Sequence, residues 1–422
     1  MLIQRTQLKN KTILSILFAS VSSFASDICQ INSSELLNEI LLSHPSIQAS
    51  SEAIKGSDAR IDSAKWGYYP TPSVEMSVKD KDRYTTVARL DQPLWTGGKL
   101  DSAYDIATSK KNETMYEFQE TSYKLIENFL SILQNYTTSK ANIVELEKGL
   151  KTLNEFGEML DRRVDAGVSP YADKELINSR IKQINSDLIV AKNKYKVSLL
   201  QIEQLLSHTM KCGINVSSVN VLESDDIEIL IKKMLDTHPS FKKIAHQIKT
   251  AQFELESTKS SVMPDLKLRA EHQRGSLYDD NINLSQNLIY ATFSVTTHAG
   301  LSAFSNVEAA KVKVHQIDFQ KQTLEKELTD GVLTDYNNYL VATSKIDTLK
   351  SSIISSSNVL DSYSRLFVAG KKQWLDLVNA SRELMQYNVD LSNQIALKQI
   401  LEYKIALKTG RINLQNGKID DI

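Results

Sequence analysis

The sequence of 422 residues holds only 2 cysteines, 7 prolines and 14 glycines. Two cysteines permit one bridge and exclude a scaffold stapled by several disulfides. No proline occurs between Pro93 and Pro170, so nothing there forbids an uninterrupted helix. Acidic and basic residues nearly cancel, at a net charge of −1, which removes the electrostatic case for nucleic acid as a partner. Apolar residues make up 41%, yet no run reaches the ~20 residues of a membrane-spanning helix. Catalytic patterns are missing too. The 7 histidines are scattered, and no metal-ligand spacing or nucleophile elbow is present. Gly97-Gly98 lacks the Lys-Ser/Thr of a phosphate loop. The chain therefore reads as a protein that is not an enzyme and takes no cofactor.

What the sequence does have is a duplication. His44-Pro45-Ser46-Ile47 returns as His238-Pro239-Ser240-Phe241, and Pro70 keeps the same offset to Pro264. Tyr136, Ile143, Leu146 and Leu150 recur as Tyr339, Ile346, Leu349 and Ile353 at one slightly longer offset. Arg162 and Gly167 recur as Arg365 and Gly370 at that second offset. Two copies of one structural unit follow. Residues 26–208 form the first repeat, 209–225 a connector, 226–409 the second repeat and 410–422 a tail. Residues 1–25 read as a secretory signal, with Arg5, Lys9 and Lys11, the apolar stretch from Ile13 to Val21, and the cleavage pattern Ser23-Phe24-Ala25. Ser26-Asp27-Ile28 before Cys29 does not make a lipobox. In an oxidising compartment Cys29 and Cys212 either form one disulfide or remain two free thiols.

Each copy has the same predicted order. A helix over about 34–67, with Ser34 as N-cap, is interrupted at the His-Pro step. Strands follow from Ser73 to Lys79 and from Tyr84 to Leu90, with Gly97-Gly98 as the turn into the next helix. In the second copy the strands are Leu266 to Ala270 and Leu288 to Thr296, joined by a polar loop that includes Gly275. Phe118, Leu125, Phe129, Ile132, Tyr136, Ile143, Leu146, Leu150 and Leu153 then keep the alternating spacing of a coiled-coil seam. The helix over about 98–165 would be roughly 100 Å long at ~1.5 Å per residue. A glycine turn, at Gly167 or Gly370, starts a returning helix over about 170–208 or 373–409. Each half thus holds a long helical hairpin.

The strands of one chain are too few for a membrane barrel, whose smallest forms need about eight. Strands pooled from three copies would close one, whereas open edges are not tolerated in lipid. Trp66, Tyr68, Tyr69 and Trp95 sit at the ends of the first hairpin. They fit either an aromatic girdle at a membrane interface or an ordinary helix–sheet junction. A soluble periplasmic coiled-coil adaptor or scaffold is the alternative reading.

The duplicated His-Pro-Ser motif, Pro70 and Pro264, LDQPLWTGGKL, and the paired VDAGVSPYAD and FVAGKKQWLD together resemble the TolC-type outer-membrane channel (outer-membrane efflux protein) family. The resemblance covers essentially the whole mature chain. It implies a mainly α fold with a small β part. It also implies a homotrimer with a helical tunnel through the periplasm, a shared 12-strand barrel in outer-membrane lipid and an equatorial belt. It further implies an exit duct for type I protein secretion or small-molecule efflux, fed by a periplasmic adaptor and an inner-membrane transporter. By resemblance, Arg162, Gly167, Val168, Arg365, Gly370 and Lys371 lie at adaptor-docking tips. Asp376 falls at an acidic position of the periplasmic gate, and Asn379 stands where the family has a second acid.

Overall fold

The duplicated His-Pro-Ser motif is a helix start. His44 and His238 are extended, as a residue before proline should be. Each imidazole Nδ1 accepts a hydrogen bond at 3.3 Å, from the backbone N–H of Ser46 or Ser240. Proline occupies the first helical turn, where its missing N–H costs nothing. The motif thus caps α2 (Pro45–Trp66) and α6 (Pro239–Ser260) and separates them from α1 (Ser33–Ser43) and α5 (Ile227–Thr237). Asn32, rather than Ser34, holds the N-cap position of α1. The structure, a computed structural model of the chain, describes residues 30–80, 83–216, 226–276, 285–295, 302–412, 414–415 and 418–419. The signal segment and Cys29 lie outside the described residues, as do 217–225 of the connector and part of the tail.

After α2 come β2 (Thr71–Asp80) and β3 (Arg83–Trp95), then α3 (Lys99–Asp165) and α4 (Tyr171–Leu206). After α6 come β5 (Asp265–Ser276) and β6 (Ser285–Ser294), then α7 (Ser302–Val368) and α8 (Trp374–Lys408). β3 and β5 run farther than the sequence predicted. β3 carries Pro93 opposite Lys267, with a register shift between Pro93 and Trp95 that accommodates the missing N–H. Gly275 is not in a loop. It is the partner of Thr85 within β5, at φ +93, and a Cβ there would meet the Tyr84 carbonyl oxygen at 2.2 Å.

The four strands form one antiparallel sheet in the order β2-β3-β5-β6. Above the waist the helices follow the same order, with α2 on α3, α3 on α6 and α6 on α7. Below it the order is α4-α3-α8-α7. At the waist, β1 (Gln30–Asn32) pairs in parallel with β4 (Gly213–Asn215). The main core lies here, where Leu36, Ile40, Phe129, Leu133, Tyr136, Ile202 and Tyr403 meet. Tyr136 is buried, and its hydroxyl accepts from the Ile214 N–H at 3.2 Å, fastening β4 to α3. The seam of α3 is buried at Leu125, Phe129, Ile132, Tyr136, Leu146 and Leu153. Only Ala303, Val332, Ala342, Ile346 and Phe367 are buried on α7, because α7 is an edge helix in both tiers.

Candidate functional site

Three regions carry the predicted functional residues: the hairpin tips, the start of α8 and the sheet with its aromatic ends. Both tips are built alike. Gly167 and Gly370 take left-handed φ values of +70° and +72°. Val168 N–H donates to Arg163 O and Lys371 N–H to Leu366 O, each at 2.8 Å. Gly167 N–H donates to Val164 O and Gly370 N–H to Phe367 O, each at 2.9 Å. These are two Schellman motifs, so the glycines are set by backbone geometry. Arg162, Val168, Arg365 and Lys371 are exposed beside them.

The two tips of one chain are clasped together. Trp374, the first residue of α8, is 3% exposed. Its ring lies 6.0 Å from Phe156 of α3, edge-on, and 5.6 Å from Phe367 of α7. The Arg163 guanidinium lies over the Phe367 ring at 4.7 Å. The sequence showed a tryptophan at this tip but gave no sign that it is core. Asp376 follows on the first turn of α8, half-buried, where the helix dipole favours an acid. Its carboxylate pairs with Lys372 at 3.1 Å, and that ammonium also sits 4.3 Å from the Tyr363 ring centre. The hydrogen bond to Asp376 raises the Lys372 pKa above its ordinary value. Lys372 had no predicted role, and its spacing to Asp376 was the available signal. Asn379 is exposed and lies on the same helix.

In the sheet, directly opposed residues share a face. Pro72, Val74, Met76 and Val78 of β2 share one face with Ala88 and Leu90, with Leu266, Leu268 and Ala270, and with Ile289, Ala291 and Phe293. This face is bare: Val74 is 74%, Ile289 77% and Phe293 69% exposed. The opposite face carries an ion-pair ladder. Arg89 reaches Glu75 at 2.7 Å and Glu271 at 3.0 Å, and Arg269 reaches Asp91 at 2.6 Å. Trp66, Tyr69 and Trp95 are exposed at the sheet's base, and Tyr68 donates to Asp101 at 2.7 Å. Trp66 and Tyr69 stand 5.2 Å apart.

At the waist, Gln30 lies opposite Gly213 in the parallel pair. Those residues follow Cys29 and Cys212 in sequence, and Cys212 is disulfide-bonded. Among the described residues there is no group of His, Cys, Asp or Glu placed to hold a metal ion. No helix of the described chain is long and apolar enough to cross a membrane.

Residues 36–208 and 230–409 match the model of the family described as outer membrane efflux protein. Outer membrane protein TolC of Escherichia coli (strain K12) is 19% identical over 370 residues, which cover 83% of this chain and 73% of that protein. Alkaline protease secretion protein AprF of Pseudomonas aeruginosa is 21% identical over 357 residues, covering 81% and 71%. Among solved structures, the outer-membrane channel OprN superposes with a TM-score of 0.79 at 11% identity, over 89% of each chain. The outer membrane protein VceC of Vibrio cholerae gives 0.77 at 14% identity, over 89% of this chain and 95% of that one.

Proposed function

Because the chain belongs to the outer membrane efflux protein family, we propose that it is the outer-membrane exit duct of a tripartite export system. It is a passive channel rather than an enzyme, and it extends from the outer membrane into the periplasm. The observation that carries the reading is the sheet. One face is mainly apolar and unburied, with Thr86, Gln92, His272, Arg274 and Asn287 among the polar residues on it, and the other carries a ladder of ion pairs. That is the division a membrane barrel needs between lipid and lumen. In water the same face would be an aggregation liability, which disfavours a soluble periplasmic scaffold.

The edges support a ring of copies. β2 and β6 each have one strand partner, and α7 is the outer helix of both tiers. The exposed side of α7 carries Phe304, Val312 and Phe319. The exposed side of α2, at the other edge, offers Ala49, Ala53, Gly56 and Ala59. Large knobs on one edge and small residues on the other suit a heterologous, closing interface. A homotrimer sharing a 12-strand barrel satisfies both sheet edges.

The exposed tip residues Arg162, Val168, Arg365 and Lys371 are the proposed contacts with a periplasmic adaptor, which links the duct to an inner-membrane transporter. The cargo class is protein, by type I secretion, or small molecules, by efflux; AprF is named for protease secretion. Asp376 is the proposed gate residue, with Asn379 beside it on α8. A ring of Asp376 carboxylates would attract cations, although Lys372 offsets part of that charge. Cys29 is the proposed partner of Cys212, fixing the N-terminus to the waist. Labelling of unreduced, denatured protein should then find no free thiol, and two reactive cysteines would exclude the bridge.

Planar-bilayer recording tests the channel. Wild type should give stepwise conductance with divalent-cation block, and Asp376→Ala should weaken that block. If the block is unchanged in Asp376→Ala, the gate assignment is lost. A wild type with no conductance at all contradicts the duct.

A further inference from the structure

We propose that Arg274 anchors the phosphate of an outer-leaflet lipid on the apolar face of the sheet, a site that rests on the channel reading above. Arg89 and Arg269 lie on the face with the ion pairs, and both have carboxylate partners. Arg274 lies on the other face, opposite Thr86. It is exposed and has no ion pair among the described residues. Strand alternation puts Glu75, Asp91, Asp265 and Glu271 on the ion-pair face, out of its reach. The anion for this guanidinium must come from outside the sheet.

The polar residues of the apolar face are sorted by height. Gln92 sits at the base, where its Nε2 donates to the Tyr68 carbonyl oxygen at 3.0 Å. Pro72, Leu90, Ala270 and Ile289 form an apolar row above it. His272 and Asn287 come next, followed by Thr86, Arg274 and Ser285 in one row near the end of β5. At the base, Leu266 lies opposite the exposed Trp95. Arg274 is about 26 Å farther along the strand at ~3.3 Å per residue, or ~20 Å higher at the ~40° tilt of a membrane barrel. The apolar band of such a barrel is about 25 Å tall, so Arg274 stands near the interface distal to the helices. An arginine costs little there, and its long stem lets the head reach the headgroups. Tyr84 lies one row farther on the same face, as an interfacial aromatic should.

The groups around the guanidinium donate. Thr86 and Ser285 flank it directly on the two neighbouring strands, at the ~5 Å spacing of opposed side chains. His272 Nδ1 donates to Asn287 Oδ1 at 2.7 Å, which engages the amide oxygen and leaves the NH2 group for a ligand. A planar fork flanked by hydroxyls and an amide, with no carboxylate competing for it, matches the oxygens of a phosphate. The exposed Val74 and Ile289 lie closer to the base, where the acyl chains of the same molecule would run. A lipid satisfies both the donors and the apolar rows, and free phosphate only the donors.

Native mass spectrometry of the full-length protein in detergent tests the site. The probes are a diphosphorylated glycolipid of the lipid A type, the same lipid freed of its phosphates, and inorganic phosphate. Wild type should retain the phosphorylated lipid and release the phosphate-free one. Arg274→Gln should bind the phosphorylated lipid about tenfold more weakly, as expected for the loss of a charged hydrogen-bonded pair. Lys267→Gln removes an equal charge from the other face of β5 and should bind like wild type. Circular dichroism and the mass of the assembly verify that each variant is folded. Equal binding by Arg274→Gln and wild type, or an equal loss in Lys267→Gln, overturns the site. Equal retention of the phosphate-free lipid by wild type overturns it without any variant. Displacement of the lipid by millimolar inorganic phosphate overturns the lipid as occupant. Recovery of wild type as a monomer from the soluble periplasm sinks the channel reading itself.

Discussion

His238 caps α6 with its Nδ1 while nine-tenths of the residue is buried. Burial pushes its imidazole down to about 4, the nearby Lys408 ammonium adds to the effect, and Glu120 opposes it. The folded value lies below the ordinary ~6.5 of histidine, so the folded state disfavours the proton. Stability is therefore complete above about pH 6.5 and falls as the pH drops toward 4. Chemical denaturation of the detergent-solubilised protein should show a loss of up to about 3 kcal/mol per chain across that window. His238→Asn, which can still cap, should flatten the profile; an unchanged slope would show that another group controls it. His44 caps α2 in the same way but is half-exposed. Glycines give a second expectation. Gly157→Ala should stabilise by about 1 kcal/mol through helix propensity, and Gly149→Ala should not, because its methyl meets Met385. At this scale the repeat of His-Pro-Ser was legible in the sequence. Its capping role was not, since histidine is not among the usual N-cap residues.

Elements were legible where one periodicity held and obscure where a local device overrode it. The long helices follow from an unbroken seam and from the absence of proline, and they span Lys99–Asp165 and Ser302–Val368. The second copy's first strand reads short in the sequence because Gly275 looks like a loop residue. The close backbone approach at Gly275 lets the strand continue. The tip clasp was unreadable because Phe156, Phe367 and Trp374 come from three helices. Trp374→Ala removes the centre of that clasp, and deletion of a buried aromatic costs about 3–5 kcal/mol. The loss should be local. Limited proteolysis should cut near 163–171 and 366–374 much faster than in wild type, while waist segments stay protected. Uniform sensitivity along the chain would mean that Trp374 supports the whole fold and not the tip.

The whole molecule is a piece of wall. Its sheet and its helices end in open edges in matching order, β2 with α2 and β6 with α7. The duplication predicted two hairpins per chain. It could not show which helix lies outermost, because both copies carry a similar seam. The burial pattern of α7 resolves this: Phe304 and Phe319 are 74% and 66% exposed, while few of its seam residues are buried. Phe319→Glu should therefore weaken association without unfolding the chain, read as a lower midpoint for heat dissociation of the assembly and unchanged circular dichroism at low temperature. The central claim is that this chain closes only with its own copies, in the outer membrane. Native mass spectrometry of protein extracted by detergent from isolated outer membranes tests it most directly. The account predicts a mass of three chains in that fraction, and a monomer recovered from the soluble periplasm would contradict it.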